Sequence, residues 1–500
     1  MKLLTKLLLI GLVCLAPSSC KGSSSGDEPN AAIIKMTSSI PANNATEVPV
    51  NTTKVIISFD GVVSVSQKQL ITINNQSVSS AISGNSQLTI GISGLKAATT
   101  YEIKAAVGAL KDSKGNTLPE VKISFATEGS NVTTEGISAE ELATKIVVGW
   151  NLGNALESST EGVTEDKQET SWGNPVTTKA MIDAVKAAGF NAVRIPVMWY
   201  RHSDVVDGEL KVHEKWMNRV KEVVDYCIAN DMYVIINTHH ESWLQGHPTY
   251  ADSTAVKKKA ISLWTQIANT FANYDDHLLI AGTNEVHVDD NWGAPTEENQ
   301  YVQNRYNQWF VDAVRATGGK NRYRNLIIQT YCTSPEFGLK GLVIPKDIFT
   351  GRLMVEFHFY RPDDFALNGK VYYWGEPYKA LGASSWGQES YISDLFGQLK
   401  MAWADKGYPI ILGEYGVCIH YTEADKVRQA ESRKYYSQYV TSKAKECGMV
   451  PFVWDNGKCG NGGENFGIFD RTNGMSVNPN AASILEGIKE GAKTSYPWNK

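Results

Sequence analysis

From residue 137 onward, apolar runs of strand length alternate with amphipathic stretches such as TKAMIDAVKAAGF and WMNRVKEVVDYCIANDM. The runs suit buried parallel strands, and the amphipathic stretches suit helices that cover such a sheet. Eight runs in roughly 360 residues match the strand count and size of a (β/α)8 TIM barrel with insertions. In chain order they read KIVVGWNLGN, NAVRIPVMW, MYVIINTHHE, LLIAGTNEV, NLIIQTY, LMVEFHFY, PIILGEYGV and VPFVWDNG.

A doubly wound parallel sheet is the other fold that such alternation could produce. That fold is expected to carry a glycine-rich phosphate loop after one of its strands. The first run ends in GWNLGN, which is not that motif. We therefore predict an α/β fold in which residues 137–500 form the barrel.

Residues 32–128 are rich in Val, Ile, Thr and Ser, almost without aromatic residues, and precede a polar linker at 129–136. Short alternating runs such as TKVIISF and EVKISFAT, separated by turns, are typical of a small all-β sandwich. The stretches SIPANNATEVPVNTTKVIISF and LKAATTYEIKAAVGALKDSKGNTL resemble bacterial Ig-like domains. We expect a spacer without catalytic residues. Carbohydrate binding is the alternative, although the segment contains no Trp.

The first 20 residues, MKLLTKLLLIGLVCLAPSSC, have the pattern of a signal peptide, since their leucine-rich stretch is too short to span a bilayer. Small residues before Cys20 resemble a bacterial lipoprotein cleavage site, although Pro17 stands where a Leu-like residue is usual. Residues 21–31 would then form a flexible tether. We expect an exported lipoprotein of a Gram-negative bacterium, anchored in the outer membrane through lipid on Cys20 and facing the cell surface. Ordinary cleavage nearby is the alternative.

Composition excludes some partners. The formal net charge is −5 and no basic cluster stands out, which argues against a nucleic-acid partner. Five Cys outside the leader are widely scattered, without the spacing of a zinc site, and their odd number does not fit a simple disulfide framework. The five cysteines are Cys227, Cys332, Cys418, Cys447 and Cys459. We expect a monomer without a cofactor.

Nearly every apolar run ends in residues that could perform catalysis or bind sugar. The C-terminal ends of barrel strands converge on one face, where the active sites of this fold lie. A single His or Arg at a strand end is more often a packing residue, but the recurrence over nearly all runs indicates one shared cleft. The residues are Asn151, Asn154, Arg194, His239, His240, Glu241, Asn284, Glu285, Tyr331, Glu356, His358, Tyr360, Glu414, Tyr415, Trp454 and Asp455.

Two carboxylates stand out, Glu285 at the end of the fourth run and Glu414 at the end of the seventh. Cleavage of a glycosidic bond needs such a pair, one to protonate the leaving oxygen and one to attack or stabilise the oxocarbenium-like centre. Arg194 would keep a nearby carboxylate charged. Metal-dependent hydrolysis through His239 and His240 is the competing chemistry. Adjacent residues of a strand point to opposite faces and no HExxH motif is present, so we expect no metal.

The motifs GWNLGNALE, VRIPVMW, THHE, TNE, EFHFY, GEYG and FVWDNG with FGIFDR together resemble glycoside hydrolase family 5, in particular subfamily 4-like endoglucanases and xyloglucanases. The likeness extends from about residue 137 to the end of the chain, with the motifs in the order of the family. It implies a retaining mechanism in which Glu285 is the general acid/base and Glu414 the nucleophile.

The same resemblance implies roles for the other strand-end residues. Asn284 would hydrogen-bond the sugar 2-hydroxyl, Arg194 and Tyr360 would orient Glu414, and Trp454 would form the apolar floor under the sugar ring. The full set of expected substrate-binding residues is Asn151, Arg194, His239, His240, Asn284, His358, Tyr360 and Trp454. One departure from the family is Val286, which stands where the family usually has Pro, and it puts the shape of the subsites in doubt.

The substrate is predicted only as a class. Five tryptophans near strand ends could line an open groove or lie in the core: Trp199, Trp243, Trp292, Trp374 and Trp386. An open aromatic groove suits internal attack on a β-1,4-glucan, and xyloglucan, cellulose-type and mixed-linkage chains all remain candidates. The alternatives are a β-mannanase of the same family and a catalytically inactive glycan-binding lipoprotein.

Overall fold

The computed structural model describes residues 34–48, 50, 52–84, 86–96, 98–127, 136–289 and 291–498. The predicted signal peptide, Cys20 and the tether lie outside these residues. The chain divides into two compact units, Met1–Thr133 and Thr134–Lys500, and this division falls inside the predicted linker. Within the described ranges, no helix combines the length and the apolar character that crossing a bilayer requires.

The N-terminal unit is a β-sandwich. Its strands are β1 (Met36–Ile40), β2 (Ala45–Val48), β3 (Lys54–Phe59), β4 (Val63–Val65), β5 (Ile71–Ile73), β6 (Gln76–Ser77), β7 (Ser80–Gly84), β8 (Gln87–Gly91), β9 (Thr100–Ala105), β10 (Leu110–Asp112) and β11 (Val121–Thr127). One sheet has the order β1-β3-β8-β7, a second has the order β2-β11-β9-β5-β6, and β10 pairs with β4. Alternate residues such as Val55 and Ile57 are fully buried, as the two-residue period of a strand requires. The predicted Ig-like sandwich is confirmed.

The C-terminal unit contains strands and helices in alternation. Its strands are β12 (Gly149–Asn151), β13 (Ala192–Ile195), β14 (Ser203–Val206), β15 (Glu209–Val212), β16 (Tyr233–Ile236), β17 (Leu278–Ala281), β18 (Leu326–Gln329), β19 (Leu353–Phe359), β20 (Ile410–Tyr415), β21 (Met449–Val453), β22 (Phe469–Asp470) and β23 (Ser476–Val477). Its helices are α1 (Ala139–Lys145), α2 (Lys179–Ala187), α3 (Glu214–Ile228), α4 (Ser242–Gln245), α5 (Ser253–Thr270), α6 (Glu297–Ala316), α7 (Pro335–Gly341), α8 (Asp363–Ala366), α9 (Glu389–Ala402), α10 (Lys426–Glu446) and α11 (Ala482–Gly491).

Eight parallel strands close into a barrel in the order β12-β13-β16-β17-β18-β19-β20-β21. Closure is made by β12, which pairs with β13 on one side and with β21 on the other. Each barrel strand comes from one of the eight apolar runs. The predicted (β/α)8 barrel is therefore confirmed.

Alternate residues of the barrel strands point inward and outward. The outward set packs against the helices, and an inward set that includes Ile235, Leu279 and Ile327 forms a separate core with α1. Two residues after the inward Met354, the same face of β19 carries Glu356 and then His358. Because side chains repeat every two residues in a strand, the inward row changes from apolar to polar at the C-terminal end of the barrel.

Candidate active site

Arg194, at the C-terminal end of β13, is the centre of a buried polar network. Its Nη1 donates to Oε1 of Glu414 at 2.8 Å, and its Nη2 donates to Oδ1 of Asn284 at 2.8 Å. Nη2 also lies 2.9 Å from Oε1 of Glu356. Burial alone would lower the pKa of Arg194, but the charges of Glu356 and Glu414 outweigh it and raise that pKa. The guanidinium therefore stays charged and holds two side chains from β19 and β20 and one from the loop after β17.

Asn151 and Arg194 lie beneath the cleft and do not line it, since both are fully buried. The amide of Asn151 donates to the carbonyl of Gly413 at 2.9 Å and accepts from Arg194 at 3.0 Å. Arg194 therefore acts on Glu414, as the resemblance implies, and a contribution of either residue to substrate binding would pass through the side chains that they hold. They hold the residues that face the cleft.

Glu414 is presented to the barrel interior by an irregularity in β20. Phe357 pairs with Leu412, but the next pair is His358 with Glu414, so Gly413 is skipped as in a β-bulge. A Cβ on Gly413 would lie 2.1 Å from Oε1 of Glu356, which explains why glycine occupies this position. The carboxylate of Glu414 then accepts from Tyr360 Oη at 2.9 Å, in addition to Arg194.

Glu285 reaches the cleft from the loop after β17, with a backbone φ of 45°. This left-handed conformation is strained for a residue with a Cβ, and five other cleft residues share it. Val286, which stands where the family usually has Pro, is completely buried, and its carbonyl accepts from the backbone N–H of Cys332 at 2.8 Å. The five other residues are Asn154, His240, Cys332, Thr333 and Glu464.

The two carboxylates lie close together, with His358 between them. One carboxylate oxygen of Glu285, one of Glu414 and a ring nitrogen of His358 all lie within 4.8 Å of one another. Nδ1 of His358 is 2.8 Å from Glu285 Oε1 and 3.6 Å from Glu414 Oε2. A retaining glycosidase has its carboxyl groups about 5 to 5.5 Å apart, and an inverting one about 6.5 to 9.5 Å. An oxygen–oxygen separation below 4.8 Å favours a retaining pair over an inverting one.

His358 is protonated near neutral pH. Burial alone would lower its pKa, but the negative charges of Glu414 and Glu285 and hydrogen bonds to Glu285 and Glu356 raise it to about 9. Burial would raise the pKa of Glu285, but the hydrogen bond and charge of His358 leave it below its ordinary value. For Glu414, burial and the charge of Glu285 raise the pKa against the opposing effects of His358 and Arg194. Without substrate, the pKa values of the two carboxyls are therefore displaced in opposite directions, down for Glu285 and up for Glu414.

His239 and His240 both line the cleft. The ring of His239 lies parallel to Trp454 at 6.4 Å, and the His240 ring packs edge-on against Trp172 at 5.6 Å. The prediction that the two rings point to opposite faces is wrong, because β16 ends at Ile236 and His240 has a φ of 57°. Burial lowers the pKa of both histidines, so both rings are neutral.

One group of described residues has donor atoms close enough together to hold a metal ion, and it is Glu285, His358 and Glu414. Two carboxylates around a protonated imidazole produce the same spacing without a metal. The pKa of His358, about 9, favours an imidazolium that donates hydrogen bonds over a neutral ligand.

The cleft is open, has a volume of about 1140 Å³ and contains four tryptophans. Trp292 is 57 % exposed, Trp386 40 % and Trp172 36 %, and Trp454 forms part of the lining near Glu414. Trp172 was not predicted; its only signal is its place in TSWGNP after the first apolar run. By contrast, three of the five candidate tryptophans are buried in the core with their indole N–H bonded: Trp199, Trp243 and Trp374.

Other strand-end residues support the loops around the cleft. Tyr331 is buried and its hydroxyl accepts from the backbone N–H of Val288 at 3.1 Å. Asp455 is buried and accepts from the indole N–H of Trp150 at 3.0 Å. Glu241 is buried and accepts from the indole N–H of Trp243 at 2.6 Å. Asn284 is also almost fully buried, beside Arg194. These buried residues support the loops and side chains that line the cleft.

A close pair of carboxylates at the C-terminal face of a (β/α)8 barrel, in an open aromatic cleft, defines the class of protein as a glycoside hydrolase. The family model "Cellulase (glycosyl hydrolase family 5)" matches residues 156–460. The chain belongs to glycoside hydrolase family 5. A model for a bacterial Ig-like domain matches residues 30–127. The resemblance inferred from the sequence motifs is confirmed.

Similar proteins include two endoglucanases. A xyloglucan-specific endo-beta-1,4-glucanase of Bacteroides ovatus is 36% identical over 368 residues, which cover 72% of each chain. Endoglucanase A of Clostridium longisporum is 36% identical over 373 residues, or 72% of this chain and 67% of the relative. Among solved structures, a Bacteroides ovatus GH5 xyloglucanase in complex with a XXXG heptasaccharide has a TM-score of 0.67 at 29% identity, covering 92% of this chain and 99% of that one.

Proposed function

We propose that this protein is a retaining, endo-acting β-1,4-glucanase of plant cell-wall β-glucans. The observation that carries the proposal is the close pair of Glu285 and Glu414, held by different partners within one open cleft. Xyloglucan, cellulose-type and mixed-linkage glucans are the candidate substrates. The similarity to a xyloglucan-specific enzyme and to an endoglucanase supports this class.

In the first step, a carboxylate oxygen of Glu414 attacks the anomeric carbon while Glu285 donates a proton to the glycosidic oxygen, which leaves as an alcohol. A covalent glycosyl ester on Glu414 results. In the second step, Glu285 takes a proton from water, whose oxygen attacks the anomeric carbon and releases Glu414. Arg194 and Tyr360 fix the nucleophile at its two oxygens, since one donates to Oε1 and the other to Oε2.

The first step needs a protonated Glu285, whereas without substrate the pKa of this carboxyl is lowered. The side chain of Glu285 is 22% exposed and that of Glu414 is 6% exposed, so a bound sugar removes more water from Glu285. Loss of water raises the pKa of a carboxyl group. Substrate binding therefore raises the pKa of Glu285 more than that of Glu414, whose carboxylate keeps the hydrogen bonds from Arg194 and Tyr360.

Aromatic residues on both sides of the carboxylate pair support attack inside a chain. Trp454 and Trp172 follow β21 and β12, which are neighbours in the barrel. Trp292 and Trp386 follow β17 and β19, and β17 also precedes the acid/base Glu285. An acid stands beside the leaving group, so Trp292, which follows the same strand as Glu285, belongs to the leaving-group side. Apolar faces of sugar rings can pack on aromatic rings at both ends of the cleft.

The decisive experiment is product analysis on xyloglucan, lichenan, carboxymethyl cellulose and mannan. We expect new reducing ends and a rapid fall in viscosity with at least one of the three glucans. Release from mannan alone would favour the β-mannanase. Binding to glucans without any release of reducing ends would favour an inactive glycan-binding protein.

We also propose that the protein is a monomeric lipoprotein of the outer membrane, attached through Cys20, with the Ig-like unit as a spacer. The support is the leucine-rich leader and the small residues before Cys20. When the protein is expressed in a Gram-negative host that is supplied with labelled fatty acid, we expect it to carry the label and to appear in the membrane fraction. A Cys20→Ala variant should lose the label; an equally labelled variant would contradict attachment at this residue.

A further inference from the structure

A second depression adjoins the catalytic cleft on the side of Glu285. It has a volume of about 400 Å³ and lies between the N-terminal part of α6 and α7. Phe337 lines both the cleft and this depression, so the two adjoin at that side chain. We call it the rim groove, and its other lining residues include Pro295, Gln300, Tyr301, Asn304 and Lys340.

The rim groove carries an exposed pair of aromatic rings. Tyr301 lines the groove and is 51 % exposed, and Tyr250 is 59 % exposed. Their ring centroids are 5.7 Å apart in an edge-on arrangement. Large side chains exposed together next to a binding cleft form a surface that a ligand can cover, unlike a single exposed Tyr.

Hydrogen bonds hold the walls of the rim groove in place. Asn299, in the first turn of α6, donates to the carbonyl of Pro248 at 3.0 Å and so fixes the segment that carries Tyr250. On the other wall, the amide of Asn304 donates to the carbonyl of Gly341 at 2.8 Å, which ties α6 to the end of α7. The aromatic pair therefore stands on a rigid support before any ligand binds.

We propose that the rim groove is a distal binding site for the glucan chain on the leaving-group side of the scissile bond, with Tyr301 as its platform. The groove is formed by segments that follow β17 and β18, and the acid Glu285 also follows β17. Trp292 and Phe337 both line the cleft, and Phe337 and Tyr301 both line the rim groove, so a chain that continues past Phe337 can reach Tyr301. This inference rests on the proposed function, because its ligand is the continuing substrate chain.

The test compares a long and a short substrate. Soluble xyloglucan extends beyond Phe337, whereas an aryl β-cellobioside has a single ring as its leaving group and ends before the groove. We expect Tyr301→Ala to raise KM for xyloglucan about two- to tenfold, the range for loss of one aromatic contact. Its kinetics on the aryl cellobioside should equal those of the wild type. Tyr301→Phe should keep most of the affinity, because the ring is retained.

Tyr372→Ala is the matched control, since Tyr372 is 36 % exposed and lines neither the cleft nor the rim groove. Equal KM values of wild type and Tyr301→Ala on xyloglucan would overturn the proposal, as would an equal loss on the aryl cellobioside. Native gel electrophoresis through xyloglucan measures binding without turnover. Weaker retardation of Tyr301→Ala supports the groove even if the wild type proves inactive, and equal retardation rejects it.

Discussion

At the scale of single residues, Glu285 and Glu414 differ in how they are held. Glu414 accepts hydrogen bonds from Arg194 and Tyr360, whereas the side chain of Glu285 is more exposed and its backbone is strained at a φ of 45°. A strained residue of this kind costs about 1–3 kcal/mol and persists only where its surroundings hold it. Two features keep the backbone of Glu285 in this conformation: Val286 is buried, and the carbonyl of Glu285 accepts a hydrogen bond from His287.

The first prediction separates the two carboxylates by their chemistry. Glu285→Gln should lower kcat on polysaccharide by about 10²–10⁴-fold, the range for a general acid. Its formation of the glycosyl intermediate from a dinitrophenyl cellobioside should be nearly normal, because that leaving group needs no proton. Glu414→Gln should lose activity on both substrates. Burst kinetics measure the first step, and an equal loss in both variants on the dinitrophenyl substrate would contradict the assignment.

The second prediction concerns His287, whose ring stacks on Trp292 at 3.9 Å. Its Nδ1 also donates to the carbonyl of Glu285 at 2.6 Å, so it links the acid to the aromatic surface beside it. His287→Ala and Trp292→Ala should both raise KM on xyloglucan, by about two- to tenfold. His287→Phe keeps the stacked ring and should lose less.

The control for this stack is His277, which packs on Tyr233 at 4.6 Å. His277 and Tyr233 stand at the start of β17 and β16, at the end of the barrel away from the cleft. His277→Ala should leave KM on xyloglucan unchanged. If Trp292→Ala raises KM and His287→Ala does not, His287 has no part in positioning that ring.

At the scale of elements, the bulge in β20 decides where the nucleophile points. Regular alternation from Ile411 would place residue 413 in the interior and Glu414 outside, but the skipped Gly413 reverses this. Glu356 occupies the space that a side chain at 413 would need. The bulge at Gly413 thus allows the carboxylates of Glu356 and Glu414 to contact Arg194 together.

The third prediction follows from this contact. Gly413→Ala should lower the free energy of unfolding by about 1–3 kcal/mol, because its Cβ forces Glu356 away from Arg194. Gly397→Ala in α9 is the control, since no atom lies within 4 Å of a Cβ built there. In a helix that change should be neutral or stabilising by up to about 1 kcal/mol. Urea unfolding of both variants gives the comparison, and equal effects would show that the contact is unimportant.

The apolar runs and the polar residues at their ends were enough to predict the barrel, the cleft and the Glu285–Glu414 pair. Strand periodicity places a residue on a face, but it does not tell how deeply a loop buries it. For that reason Trp199 and Trp374 were candidates for the groove although they lie in the core, and Trp172 was missed. The complete burial of Asn151 next to Arg194 also results from the assembled barrel, so the sequence pattern does not predict it.

At the scale of the whole molecule, the barrel unit contains a cluster of paired charges buried at its centre. Arg194 and His358 face three carboxyl groups, those of Glu285, Glu356 and Glu414. Residues from β13, β19 and β20 meet here, and Glu285 joins them from the loop after β17. Removing a charge from this cluster therefore affects the stability of the unit as well as catalysis.

The fourth prediction is a dependence of stability on pH. Since the pKa of His358 is raised from 6.5 to about 9, its contribution to stability is complete below pH 6.5 and is lost as the pH rises through 9. The difference in unfolding free energy between wild type and His358→Gln should shrink by about 3 kcal/mol from pH 6 to pH 10. Urea unfolding across this range measures it. A difference that is independent of pH would contradict a charged His358.

The central claim is that Glu285 and Glu414 cleave a β-1,4-glucan by double displacement. Proton NMR of a soluble cello-oligosaccharide during the first minutes of hydrolysis shows the anomeric configuration of the new reducing end before it equilibrates. The close carboxylate pair predicts that the β configuration is formed first, by retention. Formation of the α configuration first would show inversion and would remove Glu414 as the nucleophile.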